Sequence, residues 1–333
     1  MSEPSVPALA GPVLERALFE VKKVVVGQDA MVERLAVGLL ARGHVLLEGV
    51  PGVAKTLAVR TMAEVVGGSF HRLQFTPDLM PGDIIGTRVW RPSTETFDTE
   101  LGPVFGNLVL ADEINRAPAK VQSALLEAMA ERQVSIGGVT YRLPDPFLVL
   151  ATQNPIETDG VYELPEAQRD RFLLKVDVPQ PEEMEELTIL QRMSVSPPVP
   201  QPALSLPDVL ALQDAADRVF VHHALAQWVV GIVMTTRNPA ARGLPHLATL
   251  LEHGVSPRGT LGLVAAARAM ALLRGRDYVL PQDIADLARD VLAHRLVLSF
   301  DALADGLDPR DVIGQVLAQL PAPQIAPAQQ DAA

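Results

Sequence analysis

Apolar positions along this chain recur with two different periods. Over residues 12–23 and 28–42 they return every three or four residues, which predicts amphipathic helices. Beyond residue 43, short and nearly continuous apolar runs alternate with helical spacing. Strands are predicted at 44–48, 70–75, 107–111, 147–152 and 172–176, with helices at 54–66 and 118–132. Uninterrupted apolar strands separated by helices imply a parallel sheet covered on both faces. Two stretches break the alternation. Residues 76–106 form a Pro/Gly-rich excursion, too long for a simple connection and so expected to be functional. Residues 133–143 read as a hairpin, with Val134/Ile136 and Val139/Tyr141 flanking a Gly137-Gly138 turn.

The pattern changes near Pro179. A charged helix at 181–192 leads into the linker that runs from Ser196 to Pro202, and everything after it has helical spacing: roughly 207–217, 222–236, 257–274, 281–295 and 309–319. Pro207, Pro281 and Pro309 sit where first helical turns accept proline. The fold class expected is therefore α/β, a parallel-sheet core over residues 13–180, followed by a smaller all-α domain over 181–320. Residues 1–12 and 321–333, rich in Pro, Ala, Ser and Gln, read as disordered tails.

Composition narrows the class. The 333 residues suffice for two domains, and 48% apolar with 20% charged residues is a globular balance. With no cysteine, disulfides, zinc ribbons and thiol catalysis are excluded, which fits a cytoplasmic protein. The formal net charge is −12 and no Lys/Arg block occurs, so nucleic acid is disfavoured as the main partner. The longest apolar run, 228–234, is too short to span a bilayer, and the first residues lack the charge-then-apolar pattern of a signal peptide. A soluble protein is expected.

The candidate chemistry lies at the ends of the apolar runs. The run 45–48 leads into Gly49-Val50-Pro51-Gly52-Val53-Ala54-Lys55-Thr56-Leu57 at the start of a helical pattern. Such a loop aims backbone N–H groups and a helix N-terminus at a phosphate. Lys55 can reach the β/γ-phosphates and the Thr56 hydroxyl can hold Mg²⁺, so the ligand expected is ATP or another nucleoside triphosphate. Ala54 stands where the standard pattern has its second glycine. By itself the loop is also compatible with an ordinary strand-to-helix turn.

Leu108-Val109-Leu110-Ala111-Asp112-Glu113 delivers two acids at a strand end, the edge where open α/β sheets bind ligands. Asp112 would hold Mg²⁺ through water and Glu113 would act as general base on the attacking water; a helix-capping acid is the plainer alternative. A third polar tip, Gln153-Asn154-Pro155, offers Asn154 to the γ-phosphate or the water, although Asn-Pro is also a common turn initiator. Arg169 and Arg171 precede the last strand, and either could serve another subunit's nucleotide as an arginine finger or lie on a solvated salt-bridge face. Arg258, in Ser256-Pro-Arg-Gly-Thr260, opens a helix of the second domain, where a cation is slightly disfavoured by the helix dipole; that favours a phosphate contact. The seven histidines show no metal-binding spacing and read as structural or surface residues.

Taken in order, Val25-Val26-Gly27-Gln28, residues 49–56, Ala111-Asp-Glu-Ile-Asn-Arg-Ala117, Ala151-Thr-Gln-Asn-Pro155, residues 164–172 and 256–260 resemble the MoxR family of AAA+ ATPases across about residues 13–320. An alanine before the lysine is usual in that family, so Ala54 supports the resemblance. The resemblance implies that Val26, Gly27 and Gln28 lie beside the adenine, Asn154 is sensor 1, and Arg258 is sensor 2 on the lid. It implies Arg171 as the finger with Arg169 as alternate, since position 169 is more often apolar in the family. Residues 76–106 would be the helix-2 insert and 133–143 the pre-sensor-1 hairpin, both facing a pore. It further implies a homo-oligomeric, typically hexameric ring. Such a ring would act as a chaperone-like ATPase on a protein client, often with a von Willebrand factor A domain partner, in maturation or cofactor insertion. The alternatives are a nucleic-acid motor and a chelatase-type metal-insertion motor.

Overall fold

In a computed structural model the described residues are 6–155, 160–194 and 197–324, and the chain divides into two compact units. The first takes Glu15–Phe172 and Val176–Ala211; the second takes the chain from Leu212 onward, with Leu173–Lys175 and the segment before Glu15.

The first unit is built on a sheet. Helices α1 (Val6–Val24) and α2 (Asp29–Leu40) lead into β1 (Val45–Glu48), α3 (Lys55–Val65) and β2 (Phe70–Gln74). A short helix α4 (Pro81–Ile85) and two strands, β3 (Gly86–Arg91) and β4 (Thr96–Leu101), precede β5 (Leu108–Asp112) and α5 (Ala119–Glu131). The hairpin β6 (Gln133–Ile136) and β7 (Val139–Arg142) is followed by β8 (Leu148–Gln153), the one-turn helix α6 (Glu166–Arg169), β9 (Leu174–Asp177) and α7 (Glu183–Met193). The five-stranded sheet has the order β2-β5-β8-β1-β9. Every residue of β5 is buried, as are all but the last of β1 and β8, and the ladders β2·β5, β5·β8 and β1·β8 are parallel. Strands hydrophobic on both faces need helices on both faces, as the apolar runs imply. The register sets Gln74 opposite Asp112, Ala111 opposite Ala151, and Glu48 opposite Gln153. All the polar strand tips therefore meet along one edge.

Two expectations need correction. Helix α1 begins at Val6, so residues 6–12, expected in a tail, are helical; Ala10, Leu14, Ala17 and Val21 recur on a buried face, which offsets the single amide that Pro12 cannot offer. Residues 1–5 and 325–333 of the expected tails lie outside the described residues. The charged helix α7 and the strap after it, expected to open the helical domain, belong to the α/β unit. Ala203 and Leu204 donate to Val65 O (2.9 and 3.1 Å), and Arg16 Nη2 donates to Ala203 O (3.0 Å). A proline-rich strand lacks its own ladder, so its backbone groups are satisfied by the core it crosses. Ser196 of the linker lies outside the described residues. The excursion expected at 76–106 holds an antiparallel hairpin paired from Gly86↔Leu101 to Arg91↔Thr96. Its strands are exposed on both faces, so no alternation marks them. The β6–β7 hairpin matches its sequence, with Gly137 and Gly138 at φ 59° and 85°.

Helix α8 (Leu206–Asp217) leads into the second unit, which contains α9 (His223–Arg237), α10 (Pro257–Leu273), α11 (Pro281–Leu292), α12 (Phe300–Ala304) and α13 (Pro309–Gln319). His222 caps α9 through Nδ1 rather than lying within the helix. Helices α10 and α13 both pack on α11, and Ala266, Ala267 and Met270 of α10 and Val312, Ile313 and Val316 of α13 are buried. A small ribbon, β10 (Leu251–His253) against β11 (Val297–Leu298), joins this otherwise helical unit. Among the described residues no helix is long and apolar enough to cross a membrane.

Candidate active site

Strand β1 ends in the loop 49–54 because three of its positions demand unusual backbone. A Cβ on Gly49 would come 2.5 Å from Val178 O, so only glycine fits there. Gly52 has φ 88°, and Ala54 itself is left-handed (φ 61°, ψ 19°) as the residue before α3. A left-handed non-glycine residue costs about 1–2 kcal/mol. No side chain caps α3 at its N-cap, and its first amides leave the helix toward the loop. That is the arrangement that favours an anion.

Lys55, the first residue of α3, donates its ammonium to Gly49 O and to Gln153 O (3.4 Å), so it bridges the loop and the tip of β8. Burial pulls its pKa below the ordinary lysine value, while the nearby carboxylates Asp112, Glu113 and Glu48 push in the other direction. Thr56 and Leu57 follow on the first turn, both half-buried. Val50 is half-buried, Val53 is buried, and Pro51 and Gly52 are exposed.

The acid pair ends β5. Asp112 is buried, and its Oδ2 accepts from Arg72 Nε (3.0 Å) and Nη2 (2.6 Å). Its Oδ1 accepts from Thr152 Oγ1 (2.7 Å). Three donors leave one of about four carboxylate lone-pair sites available. Glu113 turns the chain in a left-handed conformation (φ 56°, ψ 51°), and its N–H donates to Thr152 Oγ1 (2.8 Å). Its carboxylate accepts from Gln74 Nε2 (2.7 Å) and pairs with Arg116 Nε (3.0 Å). Arg72 Nη2 also donates to Gln74 Oε1 (2.9 Å), closing the network across β2. Glu113 stands at the N-cap of the turn Ile114–Arg116 but its side chain caps nothing, so the helix-capping alternative does not describe it. The geometry brings Lys55, Asp112 and Glu113 together at the carboxyl ends of β1, β5 and β8.

Asn154, buried, follows directly after the residue whose carbonyl receives Lys55. Gln28 is buried and donates to Pro179 O (2.9 Å); Gly27 has φ 72°, and a Cβ there would collide with the Glu185 side chain 2.6 Å away. The Val26–Gln28 turn is thus tied to the segment leading into α7. Arg169 faces Glu166 across 4.0 Å at the end of α6, with its Nε buried and unpartnered, and Arg171 is half-buried just beyond. Arg258 is exposed in the first turn of α10, where its N–H is capped by Ser256 (3.2 Å); it belongs to the other compact unit.

Sequence reading missed three residues of this network: Arg72, Gln74 and Thr152. Arg72 and Gln74 gain their role from the register of β2 against β5, which no local pattern encodes. Thr152 carried a signal, as a hydroxyl closing the apolar run Leu148–Ala151.

Residues 44–174 match the profile of the "ATPase family associated with various cellular activities (AAA)", and residues 246–316 match an AAA lid domain. The chain is 62% identical over 312 residues to "Chaperone MoxR1" of Mycobacterium tuberculosis (strain ATCC 25618 / H37Rv), covering 94% of this chain and 83% of that protein. It is 34% identical to "Protein MoxR" of Methylorubrum extorquens (strain ATCC 14718 / DSM 1338 / JCM 2805 / NCIMB 9133 / AM1), covering 91% and 93%. A crystal structure of an inferred ATPase from Cytophaga hutchinsonii ATCC 33406 superposes with TM-score 0.90 at 44% identity, covering 96% of this chain and 97% of that one. Identity at this level over nearly the whole length, on an AAA core followed by its lid, carries both fold and activity: the chain belongs to the MoxR family of AAA+ ATPases.

Proposed function

We propose that this ATPase is a magnesium-dependent ring motor that remodels a protein client, and that its ATP site is built from the residues at the carboxyl edge of the sheet. The observation that carries the site is the convergence of Lys55, at the start of α3, with Asp112 and Glu113, at the end of β5, on one strand edge. The loop 49–57 holds the phosphates of ATP through its amides, and Lys55 places its positive charge on the β/γ-phosphates. Glu113 accepts the proton of the attacking water, held ready by Gln74 and Arg116. Asn154 orients that water or the γ-phosphate, and Val26, Gly27 and Gln28 flank the adenine. Arg258 reaches the phosphates from the lid domain.

The donor set suits Mg²⁺, a hard cation that takes oxygen ligands and keeps waters. Thr56 offers a hydroxyl, and the Asp112 carboxylate retains an acceptor site after its three protein bonds. When bound, the metal supplies positive charge against the phosphate oxygens. Thr56 and Asp112 are the residues that would hold it.

Arg171, with Arg169 as alternate, serves the ATP of the neighbouring subunit in a homo-oligomeric, hexameric ring. The client-facing parts are the β3–β4 insert and the β6–β7 hairpin, which together expose Trp90, Phe97, Leu101 and Val139. The 62% identity to a protein named a chaperone supports a chaperone-like role; maturation of the client or cofactor insertion into it, in the cytoplasm and with a von Willebrand factor A domain partner, is the finer form of that reading. The test is complementation. Arg171→Ala and Lys55→Ala chains are each inactive alone, and mixing them restores turnover, because the intact ATP pocket of one meets the intact arginine of the other. Mixtures that stay inactive at every ratio sink the arginine in trans.

A further inference from the structure

One hydroxyl touches both acids of the site. Thr152 is 1% exposed on β8, opposite Leu47 of β1, and the next carbonyl along the strand receives Lys55. Its single proton has a fixed destination: an ionised carboxylate can only accept, so the hydroxyl donates to Asp112 Oδ1 (2.7 Å). Its lone pairs then receive the Glu113 N–H (2.8 Å). That N–H belongs to a residue in a left-handed conformation that side-chain-bearing residues rarely adopt.

We infer that Thr152 is a positioning residue for hydrolysis, orienting the Asp112 carboxylate and the Glu113 backbone turn through one hydroxyl. Packing does not explain it. The strand around it is Leu148-Val149-Leu150-Ala151, all buried, and a valine would fill the same volume without a polar atom. A hydroxyl at that depth is retained for its bonds. The two bonds act on different parts of the site: one takes a lone pair of Asp112 Oδ1 and so sets which acceptor site of the carboxylate is left open, the other sets where the Glu113 side chain leaves the strand. Because Thr152 also precedes the carbonyl that holds Lys55 and lies two residues from Asn154, it links the acid strand to the strand that faces the phosphate loop. It touches no reacting atom and works through Asp112 and Glu113. The inference rests on the roles proposed for those two acids.

The experiment uses the full-length protein with Thr152→Val, Thr152→Ser, Thr152→Ala and Glu113→Gln prepared in parallel. It compares kcat with the Kd of a fluorescent ATP analogue in Mg²⁺. Thr152→Val lowers kcat about 10- to 100-fold, the cost of a small displacement at a reacting centre, while the analogue Kd stays within about threefold. Thr152→Ser, which keeps the hydroxyl, retains kcat within about threefold of wild type. Should the valine variant fail to fold, the contrast between Thr152→Ala and Thr152→Ser carries the same reading. Valine turnover within threefold of wild type overturns the inference, as does serine falling as far as valine. So does a Kd that weakens in step with kcat, since that describes a merely structural loss. If Glu113→Gln turns over normally, the assignment of the base fails; if it is inactive while Thr152→Val is not, only the role of Thr152 fails.

Discussion

The two ends of the parallel sheet both bury polar side chains, and they do so in opposite ways. At the amino-terminal edge His44 and Asn107 are neutral and their bonds are closed. His44 Nδ1 accepts from Val149 N (2.9 Å) while Nε2–H is directed at Met129 O (3.3 Å). Asn107 accepts from Ser69 N and Oγ (3.1 and 3.0 Å) and donates to Pro146 O (2.9 Å). At the carboxyl edge the groups are charged, the turns at Ala54 and Glu113 are left-handed without glycine, and Lys55 has a lowered pKa. Burial alone therefore does not distinguish a structural polar group from a chemical one. What distinguishes them is charge: His44 and Asn107 are neutral, whereas the Lys55 ammonium and the Asp112 and Glu113 carboxylates gather at the carboxyl edge.

The comparison breaks most sharply at Glu113. Glu113→Gln keeps the shape and loses the base, so ATP still binds while turnover falls by about 100-fold or more. Equilibrium unfolding should hardly move, because the amide still accepts from Gln74. A variant that turns over normally removes Glu113 from the chemistry.

At the opposite edge the expected effect is on stability and its pH dependence. Burial, the largest influence, pushes His44 down from 6.5 to about 4, with the Met129 carbonyl opposing and the Arg132 charge reinforcing. The folded value lies below the unfolded one. Both states are neutral above pH 6.5; between 6.5 and about 4 only the unfolded chain takes up the proton. Folding stability thus declines as pH falls through that window, by on the order of 3 kcal/mol in total. His44→Leu loses this component, so its urea midpoint should fall less steeply than wild type between about pH 7 and 4, while ATP affinity near neutral pH is retained. Parallel slopes in the two proteins would remove His44 as their source.

The smallest effect tests the strain itself. Ala54→Gly relieves a left-handed alanine but makes the unfolded chain freer, so the net change is a stabilisation of up to about 1 kcal/mol. Urea unfolding measures it. A loss of stability there would show that the methyl group contributes packing that outweighs the strain.

Much of the site was legible in the chain because each strand tip announces itself. Asp112 and Glu113 follow directly on the apolar run 108–111, Gly49 and Asn154 lie within three residues of the runs 45–47 and 147–151, and the loop from Gly49 leads on to Lys55; polar residues closing such runs mark where the chain leaves the sheet toward a ligand edge. Arg72 and Gln74 were not legible: β2 alternates in burial, and its exposed members look like any solvent-facing pair until the strand is laid beside β5. The β3–β4 hairpin escaped for a related reason, since it is solvated on both faces and leaves no periodic trace.

The sequence by itself determined the class of fold, the succession of the five sheet strands, the phosphate loop and the pair of acids, because hydrophobic period and strand-end chemistry are local properties. Only the tertiary structure decided which side chains hold those acids, that α7 and its strap pack on the α/β unit, and that Thr152 joins Asp112 to Glu113. Those depend on strand register and on contacts between residues far apart in the chain, such as Arg72–Asp112 and Arg16–Ala203. Pairings of that range are set by the packing of the whole unit, and no window along the chain contains them.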